Sequence, residues 1–194
     1  MNLSTLTTEQ VELMIVIAVV LVAGIVGLVY LRKRRTERLR NQFGDSEYTR
    51  VVEKTGNKRT AEASLEKRAE RVQKLNIRPL SAADRGRFLE AWRGIQARFV
   101  DGPAGAVTEA DQLLADVMYT RGYPVSDFEQ RAADISVDHA QVVENYRAAH
   151  EIALRQTRGQ TSTEDLRQAM VHYRTLFEDL INEPASVQTK ALAS

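Results

Sequence analysis

The chain has 194 residues, with 27 Lys+Arg against 26 Asp+Glu, three histidines and no cysteine. Without cysteine, disulfides, thiolate metal sites and cysteine nucleophiles are excluded. The formal charge of +1 hides a polarised chain: residues 32–78 hold 15 basic and 7 acidic side chains, and residues 79–194 hold 12 and 17, so a basic segment precedes an acidic one.

Four prolines and ten glycines punctuate the sequence, and runs that alternate apolar and polar residues are missing. An all-α fold is therefore expected: one transmembrane helix, a basic helical connector and a small helical bundle. The first 12 residues contain Glu9 and Glu12 but no Lys or Arg. Residues 13–31 read LMIVIAVVLVAGIVGLVYL, nineteen residues without a charge. At about 1.5 Å per residue they reach roughly 28 Å, close to the hydrocarbon thickness of a bilayer. A cleavable signal peptide would carry its cations ahead of the apolar run. Here they follow it, as Arg32, Lys33, Arg34, Arg35, Arg38 and Arg40.

That cluster predicts an uncleaved single-pass anchor, its N-terminus outside and the rest of the chain in the cytoplasm. It also sets six cations at the level of anionic headgroups, so the bilayer is itself an expected partner. Inside the span Ala23 and Gly27 form a small-xxx-small pair with Gly24 beside them, a face through which two copies could pack.

Residues 32–78 are read as a charged connector with helices over about 46–55 and 58–76, interrupted at Gly44 and Gly56. Its apolar stripe is thin, through Ala61, Leu65, Val72 and Leu75, and Arg68 falls where the stripe should continue. The expectation is a solvated stalk lying against the domain or the membrane, coiled-coil-like in composition but lacking a sustained heptad repeat. From residue 79 to 184 the helices are better defined. Ser81 and Asp84 suggest a capping box before Phe88, Trp92, Ile95 and Phe99, which fall on one face. Asp101-Gly102-Pro103 restarts the chain, Val107, Ala110, Leu114 and Val117 form the next stripe, and Gly122 stops it. A short helix is expected after Ser126 or Asp127, a longer one from about Asp138 to Thr157, and a last one capped by Thr161 and Glu164, with Leu166, Ala169, Met170, Tyr173, Phe177 and Leu180 at helical spacing. Residues 185–194 are expected to be a disordered tail.

Few of the residue types that carry chemistry occur in a usable pattern. His139 and His150, eleven residues apart, would lie roughly 16 Å apart along one helix and cannot share a metal ion. His150 with His172 lacks any HExxH-type spacing. Asp134, Ser136 and Asp138 have the first three positions of a calcium loop, but His139 and Asn145 stand where glycine and glutamate belong. Glycine-rich phosphate loops and GxSxG are missing, so no metal or cofactor is expected. The basic connector is laced with acids and poor in aromatics, which weighs against nucleic acid as a partner. The candidate binding residues are Arg121, Tyr123, Asp134, Asp138, His139, Tyr146, Arg147, His150 and Tyr173, because Tyr and Arg are common in binding hot spots.

Phe43-Gly44, Glu47-Tyr48, Arg78-Pro79-Leu80, QARFVD at 96–101, RGYP at 121–124, DFEQRAADISVDH at 127–139 and TEDLRQAMVHYRTLF at 163–177 together resemble a family of uncharacterised bacterial proteins. Its members often carry a single N-terminal anchor before a domain of this size. The resemblance implies a bacterial plasma membrane and brings no activity, cofactor or catalytic residue with it. The sequence therefore points to a membrane-tethered binding or scaffolding module with a protein partner. The alternative is a helical enzyme or small-ligand receptor built around His139, His150 and His172.

Overall fold

The computed structural model describes residues 8–124 and 126–182, with the backbone alone at 8–11 and 13. The expected tail at 185–194 lies outside the described residues. Among them the chain is all-α: α1 (Thr8–Thr55), α2 (Lys58–Gln73), α3 (Ala82–Arg98), α4 (Pro103–Arg121), α5 (Phe128–Asp138), α6 (Val143–Gln156) and α7 (Thr163–Asn182).

The first part of α1 carries the apolar run, and from Met14 to Leu31 its side chains are exposed. It is long and apolar enough to cross a membrane. Burial begins only at Leu39 and Phe43, on the same continuous helix. At Gly44 the backbone leaves helical geometry (φ 73°, ψ 158°), a left-handed φ that glycine adopts without a Cβ clash. The chain is redirected there. On a straight helix Thr36 and Tyr48 would lie about 18 Å apart, yet both hydroxyls donate to Glu62 Oε1, at 2.7 and 3.0 Å.

Folding at Gly44 gives residues 32–78 a buried core where a solvated stalk was expected, and the segment lies against the bundle through α5, as one form of that expectation had it. Leu39, Phe43, Tyr48 and Val51 of α1 pack with Ala61, Leu65 and Val72 of α2 and with Val137 of α5. Each helix contributes a thin stripe, and three thin stripes facing one another suffice to exclude water. Asn57 opens α2 by accepting from the backbone N–H groups of Arg59 and Thr60.

The other helices share a larger core in which α7 packs along α4 and α6, and α3 covers α4. Trp92 and Phe177 stack there with ring centroids 4.7 Å apart. Ser81 caps α3 by accepting from Asp84 N–H at 3.0 Å, as expected. Two boundaries differ from expectation. Helix α5 runs on to Asp138, which therefore closes a helix and does not open one, because Ile135 and Val137 are both buried. The cap of α7 is Ser162 with Asp165, each accepting from the other's backbone N–H at 3.1 and 2.8 Å, one residue beyond Thr161 and Glu164.

The segment between α2 and α3 is tied down beside the end of α4. Arg78 N–H donates to Arg121 O at 2.8 Å, and Gly122 has φ +106° with Asn76 O only 2.4 Å from where a Cβ would stand. Replacing Gly122 by alanine adds left-handed strain to a collision with backbone, and is expected to cost about 2 kcal/mol. Gly86, in the exposed part of α3 with open space at its Cβ, is the control: alanine there should stabilise by about 0.5–1 kcal/mol. Thermal unfolding of the two variants should move in opposite directions.

Candidate functional site

The polar residues of the interior fall into separate clusters, and the largest joins α1 and α2 to the bundle. Glu47, on α1 just past the kink, is 1% exposed. Its two oxygens accept from Arg50 Nε and Nη2 at 2.8 Å. Arg68 of α2 reaches Oε1 at 2.7 Å, and Arg147 of α6 stands 3.4 Å from Oε2. Burial pushes the Glu47 carboxyl up, but Arg50, Arg147 and Arg68 outweigh it and hold the group below the usual carboxylate range. Arg147 continues the network to Glu129 at 3.3 Å, which also meets Lys54 at 3.4 Å.

Beside this cage an open cleft of about 610 Å³ is lined by Asp45, Glu47, Glu53 and Glu144, by Arg50 and Arg147, and by Ser46 and Thr49. A parallel tie lies on α5, where the buried Asp134 accepts from Arg71 of α2 and from Gln130 Nε2 at 2.9 Å.

The second cluster sits inside the bundle. Tyr173 donates to Asp111 Oδ1 at 3.2 Å, Arg131 Nη2 lies 3.7 Å from Asp111 Oδ2, and Arg131 Nε donates to the Tyr146 hydroxyl at 3.1 Å. Burial, with Asp111 nearby, pushes the Tyr146 hydroxyl up to about 12 and raises that of Tyr173 as well. Both phenols stay protonated at neutral pH, so they serve as donors and acceptors that satisfy a packed interior. His150 lies flat on Phe128 with ring centroids 3.5 Å apart. Burial lowers its pKa, with Asp111 and Glu151 pulling the other way, which keeps the ring neutral in the ordinary physiological range.

Of the nine candidate binding residues, Arg121, Tyr123, Asp134, His139, Tyr146 and Tyr173 are buried, Arg147 and His150 are half-buried, and only Asp138 is exposed. Arg121 donates to Leu180 O at 3.2 Å, fastening the end of α4 to α7. The Tyr123 hydroxyl donates to Asp138 Oδ2 at 3.3 Å. Tyr146, Tyr173 and His150 come together, whereas Arg147 and Asp134 belong to the ties with α1 and α2.

The three histidines take three different partners. His139, which ends α5 and does not share a helix with His150, pairs with Asp179. His172 Nδ1 is 2.8 Å from Asn145 Oδ1. Among the described residues no group of three or more His, Asp or Glu is placed to hold a metal ion. Changing His139, His150 and His172 singly to glutamine should therefore shift stability modestly, by about 1 kcal/mol. Elemental analysis should find no stoichiometric transition metal in the wild-type protein or in any of the three. One metal per chain that two of the variants lose would establish a site.

Glu47, Arg68, Asp111, Arg131 and Asp179 are central here and are not among the candidate binding residues read from the sequence, where Arg68 counts only as a break in its stripe. A weak signal existed for Glu47 alone, which shares a helical face with Val51 four residues on. Comparison of the chain with protein-family models, with curated proteins and with solved structures gives no match, so what these residues do has to be read from their own geometry.

Proposed function

We propose that this chain is a membrane-tethered helical binding or scaffolding module of a bacterial plasma membrane, with residues 13–31 crossing the bilayer once. The observation that carries the reading is the exposed apolar stretch from Met14 to Leu31, which is not buried by any of the described residues. An exposed run of this size in water would be an aggregation site, and a lipid environment removes the cost. Arg32, Lys33, Arg34, Arg35 and Arg38, exposed at its end, favour the folded body on the cytoplasmic side and the N-terminus outside. A folded body with an open charge-lined cleft suits recruitment of a protein partner. The small residues Ala23, Gly24 and Gly27 leave room at their helix face for a second copy. The alternative, an enzyme or small-ligand receptor around His139, His150 and His172, has less support, since each ring is occupied with a separate structural contact.

A reporter fused after Ser194 tests the topology. Cytoplasmic activity is expected, and an active alkaline phosphatase fusion, which matures only outside the cytoplasm, would reverse the orientation. Neutralising Arg32, Lys33, Arg34 and Arg35 together should scramble it, because the N-terminal flank has no competing cation.

A further inference from the structure

The folded body begins too close to the span to swing on a tether. Helix α1 has no break between Leu31 and the kink at Gly44. Arg35 is four residues beyond Leu31, about 6 Å along the helix, and the headgroup layer on each side of a bilayer is roughly 5–7 Å deep. At that level α2 is already docked: Arg35 Nε and Nη2 reach Glu66 at 2.7 and 2.5 Å, and Thr36 Oγ1 donates to Glu62 at 2.7 Å.

The charge of this membrane-proximal unit is also one-sided. Of its seven acids three are occupied, Glu47 by three arginines, Glu62 by Thr36 and Tyr48, and Glu66 by Arg35, while Glu37, Asp45, Glu53 and Glu70 are exposed and are outnumbered by exposed Lys and Arg. Exposed cations remain on both helices, Arg32, Arg34 and Arg38 on α1, Lys67 on α2 and Lys74 just after it. The guanidinium of Arg34 lies over the ring of Tyr30, 4.9 Å from its centroid, the posture of an aromatic residue and a cation sharing an interface. Residues 79–194, with 12 basic and 17 acidic side chains, would be repelled by the surface that attracts this unit.

We propose that α2 and the first turns of α1 beyond the span form a two-helix platform that seats the folded body on anionic phospholipid headgroups in one fixed pose. This rests on the anchor reading above and adds α2, with Lys67 and Lys74, to the lipid-contacting surface. Because these contacts lie in the headgroup layer and are partly hydrated, they weaken as salt shortens the screening length.

The absence of cysteine allows a single one to be introduced as a probe. The full chain is placed in lipid nanodiscs carrying a headgroup spin label, with a fluorophore on Glu70→Cys of α2 or on Val100→Cys. Val100 is 83% exposed and stands at the opposite end of α4 from Gly122. In discs containing phosphatidylglycerol the label at position 70 should be quenched roughly threefold more than that at 100. The difference should shrink in phosphatidylcholine discs and at high salt. Lys67→Glu with Lys74→Glu, both exposed and outside the core, should remove it while the chain stays in the discs with an unchanged melting temperature. Equal quenching at the two positions, indifference to lipid charge, or no response to the lysine changes would each overturn the platform. So would release of the position-70 signal by inorganic phosphate or RNA at low concentration, since the basic face would then serve a soluble polyanion. A chain that never enters the discs would overturn the anchor reading itself, a result distinct from all of these.

Discussion

Replacing Trp92 or Phe177 by alanine is expected to cost the fold about 3–5 kcal/mol each, the range for deleting a buried aromatic side chain. Trp92 is 5% and Phe177 1% exposed, and the rings stack with 14° between their planes. The stack adds about 1 kcal/mol to the area each ring buries. That extra vanishes with the first substitution, so the double variant should lose about 1 kcal/mol less than the sum of the single ones. Against the roughly 5–15 kcal/mol that holds a typical domain together, either change is large. Urea unfolding of the full chain in detergent, followed by far-UV circular dichroism, measures both. Unchanged stability with loss of a binding partner would mean that the pair is a surface anchor.

These two rings were legible in the sequence because each lies on a strong stripe. Phe88, Trp92 and Ile95 keep helical spacing on α3, and Leu166, Ala169, Met170, Tyr173, Phe177 and Leu180 keep it on α7, all buried. Local chemistry also located the cap at Ser81 and the stop at Gly122, since a side-chain acceptor and a left-handed φ are demands of the backbone itself. The apolar run of α1 needed only its length and lack of charge. Where a boundary depends on what packs from elsewhere, the reading failed. Asp138 has the composition of a cap, yet Val137 beside it belongs to the core of α1 and α2, and that contact holds α5 helical through Asp138.

The second core was legible on α2, through Ala61, Leu65 and Val72, but not on α1, for a related reason. Leu39 and Phe43 precede the kink, Tyr48 and Val51 follow it, and no single helical period spans all four. Arg68 looked like a break in the stripe of α2, whereas it reaches Glu47, which is 1% exposed. A buried glutamate and a solvated one have the same local sequence, and only the arrival of Arg68 from α2 and Arg147 from α6 distinguishes them. The same holds for Tyr146 and Tyr173. Their residue type marked them, but their partners Arg131 and Asp111 come from other helices, and no local pattern connects them.

Substituting Glu47 by glutamine is expected to cost about 3 kcal/mol, the lower end of the range for removing one side of a buried ion pair. The lower end applies because the arginines left behind retain 32%, 14% and 13% of their side-chain exposure, for Arg50, Arg68 and Arg147, and water can reach part of each. Acid should have the same effect on the wild-type protein. The folded-state pKa of Glu47 is lowered from the ordinary 4.5, so its contribution is fully present above the unfolded-state value and is lost as pH falls through the folded-state one. Stability measured from pH 7 downward should thus decline for the wild type and decline less for Glu47→Gln, the two curves converging in acid. Because Glu47 joins α1 to α2 and α6, the loss should be local before it is global. Hydrogen exchange in the variant should rise first in α2 and the segment of α1 after Gly44, and later in α7. A variant whose α7 amides exchange as early as those of α2 would show that the two cores unfold as one, with the arginine cage no weaker than the apolar packing around it.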